Sequence, residues 1–364
     1  MRLFQNAGLY PAYRERLKKL IKGHSGFAAI TDVFLGDRYG ACHLLDPVLT
    51  RHRDAFFTNA DFVPAQLAWA KVNGLASTAT MDEILLAQIE EHRTEVFYNS
   101  DPLRFGNDFL KKLPGTVKCS IAWRSAPSGS LDLSGYDLVV CNFPSILLMY
   151  RQMGWRSAYL APAHDPVMDE YASNDDRPID VLFVGSYSRH HRQRADTLEH
   201  VAGLVDQFHI EYRLAASKLT RIAEHPMMTL LPLDRYRRPR SVSGISGRPV
   251  YGRQLYELLS RAKIVLNGAV DMAGSDRGNM RCFEAMGCGS LMLSDSGNYP
   301  DGMVNGQTVC TYATLQDAVH RIERLLDDHE ELSRIAQSGH ELMVTRYSKR
   351  AQWERFLELV EDVA

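Results

Sequence analysis

Short apolar runs alternate with amphipathic segments along the first half of the chain. The apolar runs predict strands, and segments with apolar residues every three or four positions predict helices. The predicted strands are Arg2–Ala7, Phe27–Phe34, Glu95–Tyr98, Val117–Trp123, Tyr136–Cys141 and Ser157–Leu160. The predicted helices are Pro11–Lys22, Phe62–Asn73, Met81–His92 and Pro144–Met153. Strands that alternate with helices indicate a parallel sheet covered on both faces.

The alternation stops at 161–178, a stretch rich in Pro, Asp and Ala with little periodicity, which is typical of an inter-domain linker. It then begins again. The later predicted strands are Asp180–Gly185, Ile210–Ala215, Lys263–Asn267 and Ser290–Ser294, and the helices are Arg194–Phe208, Tyr251–Arg261, Met280–Gly287, Leu315–Asp327, Glu330–Val344 and Lys349–Val363.

This pattern predicts an α/β protein with a first domain at 1–162, a linker at 163–178 and a second domain at 179–348. We expect a closing helix at 349–364 that crosses back to the first domain. Two doubly wound domains would face each other across a cleft lined by the carboxyl ends of their strands.

Composition narrows the class of protein. The 364 residues suit two domains of about 150 residues each. Lys and Arg number 42 against 44 Asp and Glu, for a net charge of -2, whereas a protein that binds duplex nucleic acid through its overall charge would be basic. The six Cys include no CxxC pair, and no apolar run suits a membrane span or a signal peptide. We therefore expect a cytoplasmic protein that meets any anion at a local site.

The stretch at 263–295 carries the strongest chemical signal, because it combines a strand, a loop, a helix and a glycine-containing turn. Asn279 is a good N-cap, and the helix from Met280 would present free N–H groups that suit a phosphate. Arg281 adds charge-assisted hydrogen bonds, and Glu284, one turn on, can accept them from the hydroxyls of a ribose. An ordinary capped core helix would show the same spacing, so both interpretations stay open here.

The same stretch resembles the donor-site signature of group 1 glycosyltransferases, which have the GT-B fold. Its context is most similar to the spore-maturation (CgeB-like) branch, through Asn279, Arg281, Phe283, Glu284, Ala285, Cys288 and Gly289. The resemblance covers roughly 178–364. It implies that Glu284 binds the nucleotide ribose, that Asn279–Arg281 hold the diphosphate, and that Asp276 lies near the donor sugar. Asp276 stands where the family usually has a Glu.

Further candidates surround this motif. Gly185 and Ser186 follow a predicted strand, and Arg189, Arg192 or Arg194 would bring positive charge to a diphosphate. A basic, solvated helix start is the alternative.

The complete candidate donor site has two groups of residues. The catalytic candidates are Asp276, Arg281 and Arg189, and the nucleotide-sugar-binding candidates are Gly185, Ser186, Lys263, Asn279, Met280 and Glu284. A basic stretch at 235–248 favours a solvated loop, with a loop over an anionic ligand or a contact to an acidic surface as the alternatives.

In the first domain, polar and aromatic residues lie at or just after predicted strand ends, where an open α/β sheet binds ligands. Asp37 and Asp101 are candidates to meet acceptor hydroxyls, Trp123 to stack on a sugar or base, and Arg124 lies beside it. Ordinary loop or core packing is the alternative for each.

Several motifs are absent from the sequence: the P-loop, the GxSxG elbow, HExxH, GxGxxG and Asp-x-Asp. We therefore predict no metal site and no cofactor beyond a nucleoside-diphosphate sugar as co-substrate. The expected activity is a metal-independent glycosyltransferase, which the resemblance implies to retain anomeric configuration. In an inverting enzyme, Asp37 or Asp101 would be the general base.

Other functions fit the same sequence. A nucleotide-sugar epimerase on the same fold is one alternative, and a non-catalytic nucleotide-sugar-binding or assembly protein is the other. The acceptor stays open between a glycan, a lipid-linked sugar, a protein, a small molecule and a modified nucleic acid base, and the sequence leaves the oligomeric state open too.

Overall fold

The chain forms two compact units in the computed structural model, which describes residues 1–187, 192–225, 227, 233, 236–268 and 271–363. The first unit comprises Met1–Ala163 together with Tyr347–Ala364, and the second comprises His164–Arg346. All six cysteines are buried thiols within these units.

Each unit is built on a parallel sheet. The strands are β1 (Leu3–Asn6), β2 (Ala55–Thr58), β3 (Val96–Asn99), β4 (Cys119–Trp123), β5 (Leu138–Cys141), β6 (Ser157–Tyr159), β7 (Ile179–Ser186), β8 (Ile210–Ala215), β9 (Ser246–Gly247), β10 (Ala262–Leu266), β11 (Leu291–Asp295) and β12 (Cys310–Tyr312). The six-stranded order is β2-β1-β3-β4-β5-β6 in the first unit and β12-β11-β10-β7-β8-β9 in the second. Every residue of β1, β3, β4 and β5 is buried, as expected of strands covered on both faces.

Helices connect the strands. They are α1 (Pro11–Leu20), α2 (Phe27–Asp37), α3 (Asp46–Leu49), α4 (Val63–Val72), α5 (Met81–Glu91), α6 (Asn107–Leu110), α7 (Pro144–Gln152), α8 (Met168–Ala172), α9 (Arg192–Ala202), α10 (Lys218–Ala223), α11 (Arg240–Gly244), α12 (Arg253–Ser260), α13 (Met280–Gly287), α14 (Leu315–Asp327), α15 (His329–Thr345) and α16 (Lys349–Glu361). Proline in the first turn starts α1, α4 and α7, where its missing N–H costs nothing. A capping box of Thr80 and Glu83 starts α5.

The last helix, α16, packs in the first unit. Lys349 is buried, and its ammonium donates hydrogen bonds to the carbonyl oxygens of Ala41 and Leu44, at 2.5 and 2.7 Å. Phe356 lies edge-on to Tyr98 of β3, with ring centroids 5.1 Å apart. These contacts make α16 part of the core that covers the first sheet.

The segment at 164–178, predicted as a linker, belongs to the second unit. It contains α8, and the side chains of His164, Asp165 and Met168 are buried. Arg177 donates hydrogen bonds to the carbonyls of Ala172, Ala262 and Cys288. The segment therefore packs against α12 and α13 instead of running free over the surface.

One predicted strand is wrong, and three strands, β2, β9 and β12, were not predicted. Phe27–Phe34 is the greater part of helix α2, because Ile30 and Phe34, four residues apart, share its buried face. The edge of the first sheet is β2 instead, whose register with β1 runs from Leu3 opposite Ala55 to Asn6 opposite Thr58.

No helix in the described ranges is both long and apolar enough to cross a membrane.

Candidate functional site

The start of α13 stands where the carboxyl ends of β10 and β11 meet, and two asparagines fix it there. The Asn279 side chain accepts a hydrogen bond from the backbone N–H of Arg281 at 3.1 Å, as an N-cap does. Its amide donates to the side-chain oxygen of Asn267, just beyond β10, also at 3.1 Å. The helix N-terminus, with its positive dipole end, is thereby held against this edge of the sheet.

Arg281 and Glu284 form a buried ion pair on the first turn of α13. Their closest nitrogen and oxygen atoms are 2.6 Å apart, and the Glu284 side chain is 3% exposed. Burial raises the pKa of Glu284, and the Arg281 charge opposes that rise. The pair holds a carboxylate and a guanidinium side by side, which suits a ligand with both hydroxyls and phosphates.

Asp276 is buried in a loop that a second ion pair fastens. Arg277 pairs with Asp295 at 2.6 Å, and both side chains are at most 9% exposed. Arg277 also donates to the carbonyls of Gly274 and Ser296, both at 2.9 Å. Asp276 itself accepts a weak hydrogen bond from Asn298, at 3.5 Å. The loop before α13 is therefore closely tied to the segment that follows β11.

Gly185 and Ser186 reach the same edge of the second sheet as α13. They end β7, which pairs with β10 so that Phe183 stands opposite Leu266. Arg194 of α9 also reaches this edge, because its guanidinium donates to the Gly268 carbonyl at 3.3 Å. The Asn279 amide lies 3.5 Å from the same carbonyl oxygen. Arg189 lies outside the described residues.

Lys263 lies away from this group. It is the second residue of β10, and its ammonium pairs at 2.6 Å with Asp180, the second residue of β7. Both therefore stand at the amino end of their strands. Met280, in contrast, is the first residue of α13.

Three of the four first-domain candidates have structural partners. Asp37 ends α2 instead of a strand, which corrects its predicted position, and it accepts hydrogen bonds from Tyr13 at 2.9 Å and Arg16 at 2.6 Å. Trp123 ends β4 with its ring against His43, 4.6 Å between centroids. Arg124 donates to the Pro127 carbonyl at 3.3 Å.

Asp101, the fourth, lies in a charged cluster at the carboxyl end of the first sheet. Its carboxylate is 3.5 Å from Arg104, whose guanidinium also approaches Asp61 at 3.9 Å. Asp61 pairs with Arg14 at 2.5 Å. Burial raises the pKa of Asp101, and Arg104 opposes that rise. Asp61, Arg14 and Arg104 were not predicted as site residues, since Asp61 follows β2, a strand that was not predicted.

Residues 210–358 match a family model described as glycosyl transferase-like. This segment contains α13 and the loop that carries Asp276. The two parallel six-stranded sheets are those of the GT-B fold, with two Rossmann-like domains, and solved glycosyltransferase structures share this fold. The predicted fold class is thus confirmed.

Solved structures with the same fold cover nearly the whole chain. HepE of Anabaena, in complex with UDP and glucose, has a TM-score of 0.59 and 11% identity over 100% of both chains. An alpha-glucosyltransferase in complex with UDP-glucose and DNA containing an abasic site has a TM-score of 0.58 and 10% identity, over 99% of this chain and 98% of that one. A glycosyltransferase of Rickettsia africae has a TM-score of 0.57 and 9% identity with the same coverage. No curated protein matches the sequence significantly.

Proposed function

We propose that this protein transfers a sugar from a nucleoside-diphosphate sugar to an acceptor hydroxyl, without a metal ion and with retention of anomeric configuration. The observation that carries the proposal is the start of α13, where the Asn279 cap, the Arg281–Glu284 pair and the carboxyl edge of a parallel sheet meet. This edge is where open α/β sheets bind ligands. The cytoplasm is the compartment we propose for this reaction.

The donor would bind with its diphosphate at the helix start. Helix N–H groups and the guanidinium of Arg281 supply hydrogen bonds and positive charge to phosphate oxygens. Arg194 reaches the same edge and would add a second positive charge. Glu284 would accept hydrogen bonds from the ribose hydroxyls, one carboxylate oxygen being already held by Arg281.

The chemical step needs the diphosphate to leave. The bond between the anomeric carbon and the diphosphate oxygen breaks, and its electron pair leaves with the diphosphate. The acceptor oxygen bonds to the anomeric carbon on the same face, and its proton passes to the departing phosphate oxygen. Arg281 and the helix dipole stabilise the charge that develops on that oxygen, and one such donor contributes about a hundredfold in rate.

The comparisons support UDP as the first nucleotide to test, since HepE is described with UDP and glucose and the alpha-glucosyltransferase with UDP-glucose. Membership of the spore-maturation branch is part of the same proposal. It is supported by the run from Asn279 to Gly289 that the chain shares with that branch.

A panel of UDP-, GDP- and ADP-sugars tests the function. Each is incubated with the protein, and both binding and the products of slow donor hydrolysis are measured by chromatography. Release of free nucleoside diphosphate and sugar is the expected result. Appearance of an epimeric donor, or binding without turnover, would support the epimerase or the binding protein instead, and failure of every donor to bind would overturn the proposal.

Arg281→Ala supplies the site control. We predict that it slows donor hydrolysis at least a hundredfold, while Arg350→Ala, at an exposed position in the first turn of α16, leaves the rate unchanged.

A further inference from the structure

Two loops pack backbone to backbone beside the start of α13: the loop at 274–278, which leads into that helix, and the loop that follows β11. The backbone N–H of Arg277 donates to the Asn298 carbonyl, and the N–H of Asn298 donates to the Ser275 carbonyl, both at 2.8 Å. Gly297 permits this close approach, since a Cβ there would lie only 2.5 Å from the Ser275 carbonyl oxygen. The loop before α13 is therefore fixed to the sheet through its partner loop.

The Arg277 guanidinium joins the same two loops by its side chain. Its Nη1 donates to the carbonyls of Gly274 and Asp276, at 2.9 and 3.1 Å. Its Nη2 donates to the Asp295 carboxylate at 2.6 Å and to the Ser296 carbonyl at 2.9 Å. The four N–H bonds of these two nitrogens thus have four acceptors within the protein, which leaves none of them for a phosphate of the donor. Arg277 therefore holds the loops and does not contact the ligand.

A buried ion pair of this kind fixes one arrangement more than it adds stability. The Arg277 and Asp295 side chains are 9% and 3% exposed, so both charges have lost most of their contact with water. That loss offsets much of their attraction, and apolar residues of similar size would stabilise a fold about as well. The planar guanidinium, in contrast, meets its acceptors in one geometry. The pair therefore specifies where the loop before α13 lies.

Two residues connect this loop to the helix start. Gly278 follows Arg277 with a φ of 112°, in a region that favours glycine. Asn279 comes next as the N-cap of α13 and accepts a hydrogen bond from the N–H of Arg281. A displacement of Arg277 would therefore move the N–H groups at the helix start, where the proposed function places the departing diphosphate.

We infer that Arg277 is a positioning residue of the proposed transferase, and that with Asp295 it aligns the helix start for the chemical step. This inference rests on the proposed function for its reaction. A flexible diphosphate can still bind when its hydrogen-bond donors shift slightly, but charge on the departing oxygen is stabilised only by donors in place. A misplacement of about 1 Å can cost about a hundredfold in rate. A change at Arg277 should therefore lower the rate at saturating donor and leave nucleotide affinity nearly unchanged.

Arg277→Lys tests this inference, because Lys keeps a positive charge beside Asp295 but cannot reach four acceptors on two loops. Arg177→Lys is the matched control. Arg177 likewise donates from each terminal nitrogen to two acceptors, at 3.1 to 3.2 Å, but these lie around the C-terminal end of α13 and the amino end of β10. The donor is the UDP-, GDP- or ADP-sugar of the panel that the parent protein hydrolyses fastest, and affinity is measured by calorimetry with its nucleoside diphosphate.

We expect Arg277→Lys to slow hydrolysis at saturating donor about tenfold or more and to change nucleoside diphosphate affinity by less than about threefold. Arg177→Lys should change neither quantity, although it removes the same number of hydrogen bonds.

Gly297→Ala tests the same contact without removing a charge. The added Cβ would lie 2.8 Å from Cγ of Arg277, so the two loops must move apart. This variant should lower the same rate several-fold at nearly unchanged nucleoside diphosphate affinity. Gly244→Ala is its control, since an added Cβ there meets nothing within 4 Å, and it should change neither quantity.

Equal hydrolysis rates in Arg277→Lys and Arg177→Lys would overturn the inference. So would losses of nucleoside diphosphate affinity in Arg277→Lys and Gly297→Ala as large as their losses of rate, because the loops would then maintain the whole site and not its alignment for the chemical step. A parent protein that hydrolyses no sugar of the panel would instead overturn the proposed function.

Discussion

Glu284 is the residue on which the proposed donor site depends most. Its carboxylate is buried beside Arg281. Glu284→Gln keeps the size of the side chain but removes the charge that pairs with Arg281, and an amide oxygen accepts ribose hydroxyls less strongly. We predict at least a tenfold loss of UDP affinity by calorimetry, which is about 1.4 kcal/mol.

Glu330→Gln is the matched control, since Glu330 is exposed on the first turn of α15. Equal UDP affinity in the two variants would remove Glu284 from the site.

His43 makes the first unit sensitive to acid. Burial, helped by the Lys349 charge, lowers the pKa of His43 from 6.5 to about 4. The unfolded chain therefore binds a proton at pH 6.5 that the folded chain resists until about pH 4, and stability falls as pH falls through this window. The free energy of unfolding should therefore fall by up to about 3 kcal/mol less on acidification in His43→Gln than in the parent protein.

Urea unfolding at pH 7 and pH 4.5 measures this effect. His320→Gln, exposed on α14, should keep the pH dependence of the parent protein. If His43→Gln keeps it as well, His43 is not the group responsible.

At the scale of elements, α13 carries the proposed donor site, and its N-cap has a measurable role. Asn279→Ala and Thr314→Ala each remove a side-chain cap, on α13 and on α14. Each should cost about 1 kcal/mol of unfolding free energy. Only Asn279→Ala should also weaken UDP binding, because only that cap also orients the helix start against Asn267. Similar UDP affinity in both variants would reduce Asn279 to a structural role.

The sequence predicted an element correctly where its local pattern fits only one kind of secondary structure. Helix α14 carries a cap at Thr314 and apolar residues at helical spacing, so its bounds, Leu315–Asp327, match the prediction. Helix α2 was predicted as a strand because Phe27–Phe34 is an apolar run that suits both structures. The helix forms because Ile30 and Phe34 are buried together on one of its faces. Their burial depends on the rest of the fold, so the local sequence does not show it.

The donor-site candidates and the charged cluster also differ in how far a local pattern could predict them. Asn279, Arg281 and Glu284 lie within six residues of one another, so their spacing on one helix start predicts the proposed donor site. The cluster around Asp101 joins residues from three loops far apart in the chain, and Asp61 lies 47 residues from its partner Arg14. Such contacts depend on the order of strands in the sheet, which the sequence does not show.

At the scale of the whole molecule, the two units divide the proposed work. The second unit carries the proposed donor site at the start of α13, and the first unit carries the charged cluster at its own sheet edge. The chain returns to the first unit at Tyr347, so α16 and its buried Lys349 stabilise the unit that carries the charged cluster. A ligand for one site should therefore protect backbone amides in that unit.

Hydrogen–deuterium exchange with and without UDP tests the central claim most directly. We predict slower exchange in peptides that span Asp276 to Gly287, with little change in those around Asp101. Slower exchange confined to the first unit, or none at saturating UDP, would contradict it.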